Sequence, residues 1–417
     1  MWVGFVVMWT NGCGTTCKQI SEDYDRFWER PKAATGTHLV AAVPFALASE
    51  WLTESVQVLG GKSLVLTLPK GVAGVPGGLM LKLQRIEAVP AEAGKLGLAL
   101  VAAIVDAPGT TIAETRAIVE LTPAVDPAKG TMTWKLKGED VESLVFRFTD
   151  SGLDQLADFV FDKLPKNTRR LAPKTLVRGA IQTALAEFEQ PGADWLKSHP
   201  FERLGTLVTV EWSFSQLPLS GLKLQSSSSH LVAEVQLALP IGESVAPDEL
   251  GAANDSGVRL LMGGQTVAEI ANLLITKNRV PGRFDRNGEP QREGVMRAAL
   301  DFHSGERPLK ILTWCLEEPC IQAKIGAKVS LNASDGKISA TASEPVLEEL
   351  RGPALAELAA WLGAVGVPAV ERSVQRAATF VILVGGQPIK WSTTSLQTTP
   401  GGFVVDLVPS FHRDAVH

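Results

Sequence analysis

Leu224-Gln225-Ser226-Ser227, followed by Leu231-Val232-Ala233-Glu234-Val235, returns 172 residues later as Leu396-Gln397-Thr398-Thr399, then Phe403-Val404-Val405-Asp406-Leu407. Leu231, Ala233 and Val235 alternate in one copy as Phe403, Val405 and Leu407 do in the other. An acid holds the matching outward position in each, Glu234 and Asp406. Alternation at period two is the signature of a half-buried strand. One offset holds throughout, so the chain reads as containing itself twice.

Upstream, Leu156–Val160 resembles Leu358–Leu362 weakly, and Val177-Arg178-Gly179-Ala180-Ile181-Gln182 resembles Val370-Glu371-Arg372-Ser373-Val374-Gln375 at an offset of 193. The two offsets, 193 and 172, differ by 21. The interval from Gln190-Pro191-Gly192 to Ser198-His199-Pro200 therefore reads as an inserted loop, placed where insertions cost little. The competing explanation is two unrelated segments of similar composition.

At 417 residues two or three domains are expected, and halves of roughly 200 residues each bury a sizeable core. Charged residues make up 20%, with 38 Gly and 25 Pro, which suits a folded chain rich in turns. A net charge of -5, a pI near 5.8 and no basic run argue against nucleic acid as the main partner, because phosphate binding needs clustered Lys and Arg. Past the N-terminus no apolar run reaches the ~18–20 residues that span a bilayer.

Four cysteines lie in two close pairs, Cys13 with Cys17 and Cys315 with Cys320, a distribution that suits an exported protein. Residues 1–13 read as a signal and lipobox-like segment: Trp2, Val3, Phe5, Val6, Val7, Met8 and Trp9 lead to Gly12-Cys13, with Cys13 the lipidation site. Residues 14–36 read as a tether with a short helix. Trp314-Cys315 to Pro319-Cys320 reads as strand, Pro-containing turn and returning strand, which predicts a Cys315–Cys320 disulfide; two free buried thiols are the alternative.

Residues 37–240 form the expected first repeat. It opens with a helix that carries Pro44 in its first turn, whose counterpart in the second half is Thr266 to Ile275. Short segments broken by Gly and Pro follow between Lys62 and Phe148, and without helices between them they predict an antiparallel meander. From Ser151 the period turns helical, with Leu153, Leu156, Val160 and Leu164 on one face and Asp154, Asp158 and Asp162 on the other. Helix continues past Pro165 and Pro173 through Ile181, Leu185 and Phe188. Val208, Val210, Trp212 and Phe214 then alternate as a strand. Residues 241–256, rich in Gly, Pro, Asn and Asp, read as the linker, and residues 257–417 as the second repeat.

The order helix, antiparallel meander, long helix and closing strands, carried out twice, resembles the tubular lipid-binding (TULIP) superfamily in its two-domain, bactericidal/permeability-increasing-protein-like form. That resemblance covers about Thr37 to Ser410. It implies an α+β fold of two tandem repeats, each a long amphipathic helix wrapped by a curled antiparallel meander sheet, with a lipid chain held in the apolar tube between them.

No GxSxG elbow, HExxH pair or GxxxxGK[ST] loop occurs, and Gly71 to Gly78 lacks the Lys and Ser/Thr of a phosphate loop. The expectation is therefore a binding protein without catalytic residues, cofactor or metal. It is an exported lipoprotein, anchored to a membrane through Cys13, that holds an acyl chain or other apolar molecule. The expected tube lining is Leu156, Val160, Ile181, Leu185, Val210 and Trp212 in the first half and Leu358, Leu362 and Val374 in the second. Ala99, Ala103, Ala113, Ala117, Ala327, Ala340 and Ala342 opposite them leave room. A non-enzymatic structural or adhesive envelope protein with filled cores is the alternative, and an enzyme with a dispersed site is a third possibility.

Overall fold

The computed structural model describes residues 17–31, 36–58, 64–66, 79–198, 209–213, 217–251, 257–352 and 382–410, apart from 107, 127, 130, 136–137, 286–288, 319, 335–336, 385–386 and 400. It is α+β, with antiparallel sheets predominating and few helices. Its centre is β1 (Leu39–Pro44), whose residues are apolar on both sides of the pleat because both sides are buried. Leu39 and Val43 enter the main core, and Val40 and Ala42 a second cluster behind the sheet. The chain then turns directly into α2 (Phe45–Val58).

β12 (Val258–Gly263) passes in the same way into a helix, here α6 (Gly264–Thr276). Leu39 to Val258 and Phe45 to Gly264 are both 219 apart. β1 and β12 pair antiparallel, with Ala41 opposite Leu260, positions separated by that same interval. Outside them lie two hairpins, β10 (Leu219–Ser226) with β11 (His230–Leu237), and β19 (Gln387–Thr399) with β20 (Gly402–Ser410). Leu224 faces Ala233 as Leu396 faces Val405, and Ser226 faces Leu231 as Thr398 faces Phe403. The stretches that echo each other in sequence thus form hairpins of one register. Their acids do not face solvent, however. Glu234 and Asp406 are buried behind the sheet, where Glu234 accepts from Thr37 Oγ1 and Gln225 Nε2, each at 2.8 Å. Asp406 takes Arg259 Nε at 2.8 Å and Nη2 at 3.0 Å, which holds its carboxyl below the usual carboxylate range.

The cover that buries them comes from the stretch expected to be the linker. Ile241, Val245 and Leu250 are buried, and Val245 N donates to Thr37 O at 2.8 Å, so residues 241–251 form a layer on the sheet.

Two five-stranded antiparallel sheets flank the centre. The first contains β2 (Leu64–Leu66), β3 (Leu79–Val89), β4 (Leu96–Asp106), β5 (Thr111–Leu121) and β8 (Val141–Phe148) in that order. The second contains β13 (Arg283–Phe284), β14 (Met296–Phe302), β15 (Leu309–Cys315), β16 (Ile321–Ser334) and β17 (Lys337–Arg351). The first meander is not continuous. β6 (Ala124–Asp126) and β7 (Thr131–Lys135) leave it and pair with β9 (Thr209–Ser213), which adjoins β18 (Ile382–Val384), extending the central sheet to ten strands.

Residues 17–28 form α1, the short helix expected in the tether, here bound to the second flanking sheet. Cys17 is joined to Cys320, and Ile20 packs against Ala299 and Trp314. The expected Cys315–Cys320 bridge is thereby corrected: Cys315 is a free, buried thiol. Alternation along β15 explains this, since Trp314 faces α1 whereas Cys315 turns to the opposite side, among Met296, Ile321 and Ala323.

Candidate functional site

The candidate site is the helical hairpin over the first flanking sheet. α3 (Asp150–Lys163) starts where Thr149 caps it: Gly152 N donates to Thr149 Oγ1 at 3.1 Å, and that hydroxyl donates to Thr111 O at 2.7 Å. Gly152 permits this approach, because a Cβ there would lie 1.9 Å from Ile112 O. Leu153 and Ala157 are buried, but Val160, one turn on, is 36% exposed.

After α4 (Lys166–Leu171) the chain returns as α5 (Lys174–Ser198). The expected loop at 190–200 is corrected here, because helix runs through Pro191 to Ser198. Packing outweighs the lost backbone bond at proline: Ala193 and Leu196 join the core with Val141 and Phe146, and Lys197 Nζ donates to Val141 O at 2.8 Å. α3 and α5 are held together by Arg178 Nε to Asp154 at 2.7 Å, Arg178 Nη2 to Asp150 at 3.1 Å, and Lys174 to Asp158. Asp154 and Asp158 therefore pair across to α5 while staying exposed to solvent.

With both chain ends pinned and Asp154 and Asp158 paired to α5, the hairpin still leaves large apolar side chains uncovered. Leu171 is 85%, Leu176 63% and Phe188 37% exposed. Of the expected lining, Leu156, Ile181 and Leu185 are half-buried on this hairpin. Val210 and Trp212 lie on β9 opposite Trp134 and Met132, two buried core residues; their own side chains are outside the described residues. Leu358, Leu362, Val374 and Cys13 also fall outside the described residues.

Of the small residues, Ala113 and Ala117 face the core of the first half, and Ala327 and Ala342 that of the second. Ala99 and Ala103 do not. They sit on the other face of β4, opposite Glu87 and Lys82, because the inward positions are Leu98, Leu100, Ala102 and Ile104. Periodicity gave two apolar faces on β4 and did not say which was inside. Ala340 lies on β17, its side chain outside the described residues.

Sequence reasoning missed a polar site where α1 meets α6. Glu269 is buried and accepts from Arg30 Nη2 at 2.7 Å. Burial pushes its pKa up to about 7 against the pull of Arg30. Asn272, one turn on, bonds both Leu300 N and Leu300 O, at 2.8 and 2.7 Å. Buried Glu and Asn on an otherwise apolar helix face were the available signal. Among the described residues no group of three His, Cys, Asp or Glu stands ready to hold a metal, and no helix is long and apolar enough to cross a membrane.

No protein-family model matches the chain, and no curated protein does. Three solved structures align over nearly their whole length. P47 from Clostridium botulinum A2 is 10% identical, covering 91% of this chain and 99% of that one at a TM-score of 0.34. Lipopolysaccharide binding protein is 11% identical, covering 91% and 100% at 0.31. P47 of Clostridium botulinum E1 is 9% identical, covering 90% and 99% at 0.37. These values describe likeness of extent and do not establish a shared fold.

Proposed function

We propose that this chain is a non-enzymatic envelope protein that binds an acyl chain or similar apolar molecule along the α3–α5 hairpin. The observation that carries this is the exposure of four large apolar side chains on the helical hairpin, Val160, Leu171, Leu176 and Phe188. Large apolar side chains left exposed on a folded protein mark candidate places for something apolar to sit. Leu156, Ile181 and Leu185, half-buried beside it, would form the floor, with Ala113 and Ala117 the small residues of the sheet behind. The same reading extends to an apolar tube in each of two tandem repeats, with Leu358, Leu362 and Val374 the second lining.

Export is supported by the Cys17–Cys320 disulfide, which persists in an oxidising compartment. A lipid on Cys13 would then hold the body close. Three residues separate Cys13 from Cys17, and four Cα steps of ~3.5 Å span about 14 Å. Organic extraction of the purified protein followed by mass spectrometry tests the reading. Leu176→Glu with Phe188→Glu should reduce the extracted load several-fold at an unchanged melting temperature. An equal load in parent and variant ends it. Self-association that the variant abolishes, with no extracted lipid, would favour the adhesive alternative instead.

A further inference from the structure

We propose that the pocket beside α1 is an oxyanion site that takes a phosphate group. The pocket holds about 700 Å³ and is walled by Tyr24 and Trp28 of α1 and by Arg279, Arg283, Arg292 and Arg297 of the second half. No part of it touches the apolar hairpin, so the two readings stand or fall separately.

The second flanking sheet carries a cross-strand row on the face that α1 covers: Arg283 opposite Arg297, Arg297 opposite Trp314, Trp314 opposite Gln322, and Gln322 opposite Arg351. Residues directly opposite in an antiparallel pair project from the same side. α1 answers this row residue by residue. Asp23 takes Arg351 at 2.7 Å, and Tyr24 meets Trp314 edge-to-face at 5.4 Å while receiving the Arg297 guanidinium 4.8 Å from its ring centre. At the remaining end Arg283 forms no ion pair among the described residues, nor does Arg292 across the pocket. The nearby carboxylate Asp285 is turned to Glu289 N at 2.9 Å and Gln291 Nε2 at 3.1 Å.

Like charges directly opposite in a sheet repel. Two guanidinium groups on adjacent strands, a third across an open pocket and one of them already oriented by an aromatic ring make a fork-shaped donor set. That set matches the tetrahedral oxygens of phosphate. A phosphate placed there converts the repulsion between Arg283 and Arg297 into two charge-assisted hydrogen-bonded contacts. The aromatic walls suit an ester with an apolar or aromatic body. Such a group comes either from a soluble phosphate ester or from the head of an anionic lipid.

The test uses the full chain with its disulfide intact, at low ionic strength. Inorganic phosphate and phenyl phosphate are titrated by calorimetry, and flotation is measured with phosphatidylcholine vesicles with and without phosphatidylglycerol. Saturable binding of phenyl phosphate without flotation identifies a soluble ester; flotation that requires phosphatidylglycerol identifies a lipid head. In either arm Arg283→Gln and Arg292→Gln should each weaken binding about tenfold. Arg283→Gln should also raise the melting temperature of the anion-free protein, since it removes a like-charge pair, a shift that a merely structural arginine would not give. Arg85→Gln, on the outer face of the other flanking sheet, should leave binding unchanged. The proposal is overturned if neither probe binds, if both pocket variants bind as the parent does, or if Arg85→Gln weakens binding equally. Should Arg283→Gln fail to fold, the exposed loop variant Arg292→Gln decides alone.

Discussion

Glu50 on α2 and Glu269 on α6 stand 219 residues apart at the same place in the two strand–helix units, and the molecule treats them oppositely. Glu50 is exposed, whereas Glu269 is buried against Arg30. The cause lies outside the helices. Beyond β4 the outer face of the first flanking sheet is solvated and carries ion pairs, Arg85 to Glu87 at 2.7 Å and Arg116 to Glu87 at 3.5 Å. On the second sheet the corresponding face is roofed by α1, with Ile20, Trp314 and Cys320 buried under it. The same architecture is therefore finished in two ways, one side by charged side chains and the other by a strapped helix. The strapped side is where burial, a perturbed carboxyl and the arginine pocket occur together.

The strap should produce the largest effect. A bridge spanning 303 residues removes much chain entropy from the unfolded state, so Cys17→Ser should cost about 3–5 kcal/mol in denaturant unfolding. Peptide mapping without reduction should recover Cys17 linked to Cys320. A linked Cys315–Cys320 peptide, or a loss below about 1 kcal/mol, would break the contrast between the two sheets.

Next come the two buried acids of the matched hairpins. Arg259→Ala strands Asp406 without its cation and should cost about 3 kcal/mol. Thr37→Val removes one of two neutral donors from Glu234 and should cost only ~1–2 kcal/mol. Equal losses would mean that the two acids are held alike.

Glu269 then gives a pH signature. Its carboxyl is raised to about 7 in the folded protein, so between the unfolded value near 4.5 and about 7 the folded state binds more protons than the unfolded one. Stability must fall as pH rises through that window and level off above it. The total from this group is at most about 3 kcal/mol, at ~1.4 kcal/mol per pKa unit. Measured as the difference from Glu269→Gln, parent stability should be relatively highest near pH 4.5. A difference that stays flat across that window would remove the asymmetry between the two helices.

The smallest effect belongs to the solvated face. Arg116→Ala breaks a half-exposed pair and should change stability by about 0.5 kcal/mol or less, fading with added salt.

Much of the fold was legible because it is written in local patterns. Alternation fixed β11 and β20, and the constant offset carried the pairing of one hairpin onto the other. The stretch around Pro44 located α2, although Pro44 itself ends the unread strand β1, and the helical period from Ser151 located α3. The candidate hairpin was legible as apolar spacing through Leu156, Val160, Ile181 and Leu185. That Val160, Leu176 and Phe188 lie uncovered was not, because periodicity names a face and says nothing of what lies against it.

The sequence by itself determined the antiparallel, hairpin-built character of the chain, since pleat and turn chemistry act over a few residues. Only the tertiary structure decided which faces are inside. It turned Glu234 and Asp406 inward under residues 241–251, sent Ala103 to the outer face of β4, and joined Cys320 to Cys17 across 303 residues instead of to its neighbour Cys315. Each of these depends on a segment distant in sequence arriving over a surface. Burial and pairing are properties of that meeting, and no window of sequence contains both partners.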